Sequence, residues 1–236
     1  MKIIISPAKT MAVDPSHPGT TVPVFEDKAE EILYTLKGKS AEDLKKLWKC
    51  SDKIVDENME RLRTMDLDDP GTAALFAYTG VQYKAINPRT LDEDSIQYLN
   101  EHLRILSGFY GILKPTDGIQ PYRLDIQKGF WKDSIYKELV KEDHVILDLS
   151  SMEYGEAVLK YRTGTERYII VDFLQMDDGE VVRYSAEVKK ARGRMVRFLA
   201  ENKIEDPSEI KDFHEDGYAL MEADLHTDKF TFIKKA

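Results

Sequence analysis

The chain has 236 residues, 42% hydrophobic and 33% charged, with a formal net charge of -9. Both signs of charge are interleaved, which excludes a disordered chain, and the acidic balance excludes a protein that coats nucleic acid through a uniformly basic surface. The single cysteine, Cys50, excludes an internal disulfide and any multi-cysteine zinc site.

No apolar run is long enough to span a bilayer, so no membrane partner is expected. The N-terminal residues lack the charged-then-apolar pattern of a signal peptide, and a cytoplasmic location follows as the expectation.

Taken in order, Lys2 to Ile5 is a short β-branched run stopped by Ser6-Pro7, which predicts a strand buried in the middle of a sheet. Ala8 to Met11 then lies at a strand end, a common place for a binding loop. Asp14 to Pro23 is rich in turn formers and reads as an exposed loop. Three helices follow. Ala29, Ile32, Leu33 and Leu36 set the period of the first, Ser40 with Asp43 opens the second, and Ser51 or Asp52 caps a third running to about Met65.

Ala73 to Tyr78 is apolar and aromatic and predicts a buried strand broken by Thr79-Gly80. Asp92 opens a helix to about His102, with Ile96 and Leu99 inward. Ser134 to Val140 is a further helix, His144 to Leu149 a second buried strand, and Ser150 or Ser151 caps a helix to about Tyr161. Arg167 to Gln175 and Glu180 to Ser185 form a hairpin around Asp177-Asp178-Gly179. Val188 to Asn202 is an amphipathic helix with Val188, Ala191, Met195 and Leu199 inward. Its cations Lys190, Arg194 and Arg197 share another face, which marks either an anion site or a solvated face. Pro207 starts a helical turn, and Gly217 to Phe232 predicts a terminal hairpin. With no repeat and no linker, residues 1–236 read as a single domain of the α+β class, a mixed α/β arrangement of a central sheet with surrounding helices.

Polar residues gather at the predicted ends of apolar runs. Ser6, Lys9 and Thr10 follow the first strand, Arg104, Ser107 and Gly108 lie in the next apolar run, and Arg123 sits in Gln120-Pro121-Tyr122-Arg123. Asp148 to Tyr154 adds carboxylates and hydroxyls. If these segments converge with Lys189, Lys190 and Arg192, they make a cleft suited to phosphate. Gly108 and Gly111, in Leu106 to Leu113, mark either the hairpin of a helix-hairpin-helix or a bulge and close packing. Phosphate-loop, dinucleotide and nucleophile-elbow signatures are absent. His17, His102, His144, His214 and His226 show no metal-ligand spacing, so neither a metal nor another cofactor is expected. Glu222, Asp224 and His226 alternate on one strand face, as ligands or as an exposed edge.

Several motifs carry a family resemblance. They are Ile3 to Thr10, Ser51-Asp52-Lys53, Leu103 to Gly108 with Tyr110-Gly111 and Lys114-Pro115, Gln120 to Arg123, Asp148 to Tyr154, Lys189-Lys190-Ala191-Arg192-Gly193 and Gly217-Tyr218. In this order, from end to end, the chain resembles the YaaA family of bacterial peroxide stress resistance proteins. The resemblance implies a protein that limits iron-dependent oxidative damage, with a positively charged cleft, a helix-hairpin-helix element and affinity for DNA. The basic positions it carries over are Lys9, Arg104, Arg123, Lys189, Lys190 and Arg192. DNA binding through phosphate contacts, with weak sequence preference, is the first expectation. An enzyme acting on a nucleotide, nucleoside or damaged base in the same cleft is the second, with Lys9 as nucleophile or phosphate clamp and Glu153 as acid or base. Direct iron sequestration is a third, disfavoured by the scattered histidines.

Overall fold

The computed structural model describes residues 1–224 and 228–234. The chain begins with β1 (Lys2–Ile5) and the helices α1 (Glu26–Lys37), α2 (Ala41–Trp48) and α3 (Asp52–Thr64). A short strand β2 (Thr72–Ala73) precedes α4 (Ala74–Ala77), α5 (Val81–Ile86) and α6 (Glu93–His102). Then come β3 (Leu103–Ser107), β4 (Gly111–Leu113), β5 (Gly118–Ile119), α7 (Lys128–Trp131), α8 (Ser134–Glu142) and β6 (Val145–Asp148). The remainder is α9 (Met152–Leu159), β7 (Arg167–Asp177), β8 (Glu180–Val182), α10 (Ser185–Asn202), β9 (Tyr218–Asp224) and β10 (Lys229–Lys234).

The main sheet has the order β4-β3-β1-β6-β7-β10-β9, with β8 paired to β7. Its centre, β3-β1-β6-β7-β10, is parallel, and β4, β8 and β9 are antiparallel additions. Ile3, Ile4 and Ile5 are fully buried in the middle, as the unbroken β-branched run predicts for a parallel strand covered on both faces. Numbered along the chain, the five parallel strands lie 2-1-3-4-5, and the order reverses between β1 and β6. In open parallel sheets, the carboxyl ends of the strands at such a reversal frame a crevice where ligands bind.

The helices follow their sequence periods. Ala29, Ile32, Leu33 and Leu36 are the buried face of α1. Ser40 Oγ accepts from the Asp43 amide at 3.1 Å and caps α2. On α10, Val188, Ala191, Met195 and Leu199 are all buried. Asp178 and Gly179 adopt φ of 47° and 82°, the left-handed pair that a two-residue hairpin turn between β7 and β8 requires. The terminal hairpin is β9 against β10, while His226 lies outside the described residues. The result is one mixed α/β domain, as expected.

Two local expectations are corrected. Ala73 to Tyr78 is not a strand: β2 ends at Ala73, and Ala74–Ala77 is a helical turn. A short, uniformly apolar run has no period to separate the two conformations. Leu106 to Leu113 is not a helix-hairpin-helix but the β3-β4 hairpin, and every residue from 103 to 113 is buried. Amides so enclosed cannot reach a DNA phosphate.

Candidate functional site

A pocket of about 480 Å³ opens where β1 and β6 end. Ser6, Lys9 and Thr10 enter it from the segment after β1, and Ser151, Glu153 and Tyr154 from the start of α9. Tyr122, Arg123 and Asp125 come from the loop before α7, Gly80, Val81 and Gln82 from the start of α5, and Lys189 and Arg192 from α10. The sheet reversal thus sits beside the cavity, whose volume is in the range of small-molecule sites.

Of the positions proposed from sequence, Ser6, Lys9, Thr10, Arg123, Lys189 and Arg192 meet here. Ser6 Oγ accepts from the Ser151 amide at 2.8 Å and donates to Ser151 Oγ at 3.1 Å, tying the ends of β1 and β6 together. Lys9 Nζ donates to Asp125 Oδ2 at 2.8 Å on an exposed rim. Arg123 reaches the Trp48 carbonyl at 3.5 Å. Lys189 and Arg192 are three residues apart, so one face of α10 presents both.

Asp148, at the end of β6, is buried beside Gly155 of α9. Its carboxylate accepts from the Ser150 amide at 2.7 Å and from Tyr168 Oη at 2.8 Å. Burial pushes this carboxyl above its ordinary range, against the lowering pull of those bonds and of Arg192. Burial likewise lowers the Arg192 pKa, opposed by the charges of Asp148 and Asp172. Gly155 leaves the room this needs: a Cβ there would stand 2.6 Å from Asp148 Oδ2.

Five proposed positions lie elsewhere. Arg104 is buried on β3, where it pairs with Glu142 and donates to the Asn100 and Leu103 carbonyls at 3.0 and 2.7 Å. Ser107 is fully buried, bonded to Tyr122 Oη at 2.7 Å and accepting from the Tyr110 amide at 2.9 Å. Through Tyr122, which also bonds Tyr78 Oη at 2.8 Å, Ser107 positions the residue preceding Arg123. Gly108 lets the neighbouring chain pass, since a Cβ would meet the Leu124 carbonyl at 2.3 Å. Gly111 has φ +78° and packs against Trp131 and Phe25. Lys190 Nζ is 3.1 Å from Asp216 Oδ2, a carboxylate that Arg194 shares at 3.6 Å.

Arg197, the third cation of the helix face first singled out, donates to the Ile86 carbonyl at 3.1 Å and to Thr90 Oγ1 at 2.7 Å. That face fastens α10 to its neighbours, and the adjacent face carries the pocket cations.

Gly80, Val81 and Gln82 were not legible as site residues. Tyr83 and Ile86 hint at a helical turn after Thr79-Gly80, but six residues are too few for periodicity to decide. Their placement depends on Gly193, where a Cβ would lie 2.2 Å from the Gln82 carbonyl oxygen and 2.7 Å from Ala85 Cβ. Gly193→Ala is therefore expected to cost about 2 kcal/mol by forcing α5 away from α10. Urea unfolding measures this, and an unchanged midpoint would refute the close approach.

Among the described residues, three buried nitrogens on the pocket's lining residues have no hydrogen-bond partner: Gln82 Nε2, Arg123 Nε and Arg192 Nε. A buried donor left unpaired costs about 1–3 kcal/mol. All three have almost no accessible surface, so they lie behind the wall of the open cavity and do not face into it. No cluster of His, Cys, Asp and Glu suited to a metal occurs among the described residues.

Fold and pocket together define a mixed α/β protein with a pocket lined by cations and carboxylates at the reversal point of its parallel sheet. The chain belongs to the peroxide stress protein YaaA family, whose sequence model matches residues 1–224. A UPF0246 protein of Agathobacter rectalis is 41% identical over 248 residues, covering 100% of this chain and 99% of the relative. UPF0246 proteins of Desulfitobacterium hafniense and Ligilactobacillus salivarius are each 42% identical, covering 99% of this chain and 98% and 100% of the relatives. No helix among the described residues is long and apolar enough to cross a membrane.

Proposed function

We propose that this protein binds DNA during peroxide stress, seats one phosphate-bearing nucleotide in the strand-end pocket, and thereby limits iron-dependent damage to the bound strand. The observation that carries this reading is the meeting of Ser6, Arg123 and Arg192, from three separate segments, around one cavity. Lys189 and Lys9 add charge at the same place. A pocket of about 480 Å³ is the size of a nucleotide and far smaller than a duplex, so the ligand enters as a strand end or an extruded unit.

Binding of a short single-stranded oligonucleotide across a salt series tests the proposal. With roughly two phosphates neutralised, log K should fall against log salt with a slope of about -1.4. A flat dependence, or no binding, would overturn it.

One feature favours enzymatic action on the same nucleotide. The carboxylates of Asp125 and Glu153 share the pocket with the cations, and a pure phosphate clamp does not need them. In this reading Lys9, held by Asp125, and Glu153 supply the nucleophile and the acid or base. Incubation with damaged DNA and nucleotides, read by mass spectrometry, should reveal turnover that Lys9→Ala abolishes. Turnover that survives Lys9→Ala would remove Lys9 from the chemistry.

A further inference from the structure

We infer that this pocket takes the 3′ end of a DNA strand, its cations holding the last phosphodiester and the Glu153 carboxylate accepting a hydrogen bond from the free 3′-hydroxyl; this rests on the nucleotide reading above. Glu153 stands in the first turn of α9, is exposed and lines the cavity. Among the described residues it forms neither a hydrogen bond nor an ion pair. The other lining carboxylate, Asp125, is bound to Lys9 at 2.8 Å. Glu153 is therefore the carboxylate left open to an incoming ligand.

The cavity is also polarised. Burial raises the Tyr154 phenol most, and the charges of Asp125 and Glu153 are among those that raise it further, so both carboxylates stand near Tyr154. Burial leads the lowering of the Arg192 pKa, and the charges acting on that guanidinium are those of Asp148, Asp172 and Arg183. Lys189 shares its face of α10. A ligand that suits both ends carries a phosphate at one and a hydrogen-bond donor at the other, since a carboxylate accepts and has no proton to offer. An extruded internal nucleotide has a phosphate on each side of its sugar, and one of them would meet Glu153 and be repelled at the reduced dielectric of a protein surface. A 5′-phosphorylated end of DNA offers no sugar hydroxyl. A 3′ end brings one phosphodiester and one hydroxyl, and a single such unit fits a pocket of about 480 Å³.

Fluorescence anisotropy on the full chain, with one internally labelled single-stranded DNA sequence in four forms, tests the inference. The forms are linear with a 3′-hydroxyl, linear with a 2′,3′-dideoxy end, linear with a 3′-phosphate, and circular. The hydroxyl end should bind about tenfold more tightly than the dideoxy end, the loss expected for one hydrogen bond to a charged group. The 3′-phosphate and the circle should bind more weakly still. Glu153→Gln should narrow the margin of the hydroxyl end over the dideoxy end and raise 3′-phosphate affinity about tenfold, two changes of opposite sign that a loss of packing would not produce. Equal affinity for the 3′-hydroxyl and 3′-phosphate ends, or a circle bound as tightly as the hydroxyl strand, would overturn the inference and leave the DNA reading standing. An end preference unchanged in Glu153→Gln would overturn it as well. If none of the four forms bound, the DNA reading and this inference would fall together.

Discussion

Replacing Lys189 and Arg192 together by alanine is expected to weaken binding of a short single-stranded DNA about 100-fold or more at fixed salt. Both residues line the pocket from one face of α10. A hydrogen bond to a charged group contributes about 1.5–3 kcal/mol, so two lost contacts reach at least two decades of affinity. The contrast lies one residue away. Lys190→Ala should change affinity less than about threefold, because Lys190 is paired with Asp216 and does not line the cavity. Fluorescence anisotropy on the three proteins decides the matter. Equal losses from Lys190→Ala and from the double variant would mean that DNA follows the outer face of α10 and that the pocket is not the site.

Arg104→Met should lower stability by about 3 kcal/mol while leaving DNA binding intact. Removing one partner of a buried ion pair costs about 3–5 kcal/mol, and the lower end applies because Lys2 Nζ, 2.8 Å from Glu142 Oε2, still faces the carboxylate. The guanidinium's bonds to the Asn100 and Leu103 carbonyls are lost as well. For a chain of this size the melting temperature should fall by roughly 6–12 °C.

The loss has a pH signature. Burial raises the Glu142 pKa, but bonds to Arg104 and Lys2 outweigh it, and the carboxyl sits below its ordinary value of 4.5. A depressed carboxylate contributes stability that is present above about pH 4.5 and lost as pH falls through the lower folded value. The deficit of Arg104→Met should therefore be full at neutral pH and shrink on acidification. A deficit that grew below pH 4.5 would show that the ion pair is not its source.

The Arg104 case shows why its role was misjudged from sequence. An arginine in an apolar run followed by Ser107-Gly108 resembles a phosphate-binding strand end. It stands at the other end of β3, two residues into the strand, with α8 supplying its partner from 38 residues away. Ser107 and Gly108 belong to the same motif but act beneath the site, one anchoring Tyr122 and the other making room for Leu124. Sequence marks such a motif as constrained without telling contact from support. The pocket's α5 wall was invisible for a different reason, since its six residues carry too little period.

The features that follow from the chain's own pattern are local. Runs such as Ile3 to Ile5, the spacing of Val188, Ala191, Met195 and Leu199, the Ser40 cap and the Asp178-Gly179 turn each act through neighbours within a few residues, and each folds as its pattern demands. Family membership was legible for a related reason, because several such motifs recur in one order. Which cations share a cavity was set by long-range packing. That depended on the reversal of strand order at β1 and β6 and on Gly193 letting α5 dock on α10. It also depended on Asp216 holding Lys190 and Arg194 to the other face. These are contacts between residues distant in the chain, and no local period records them.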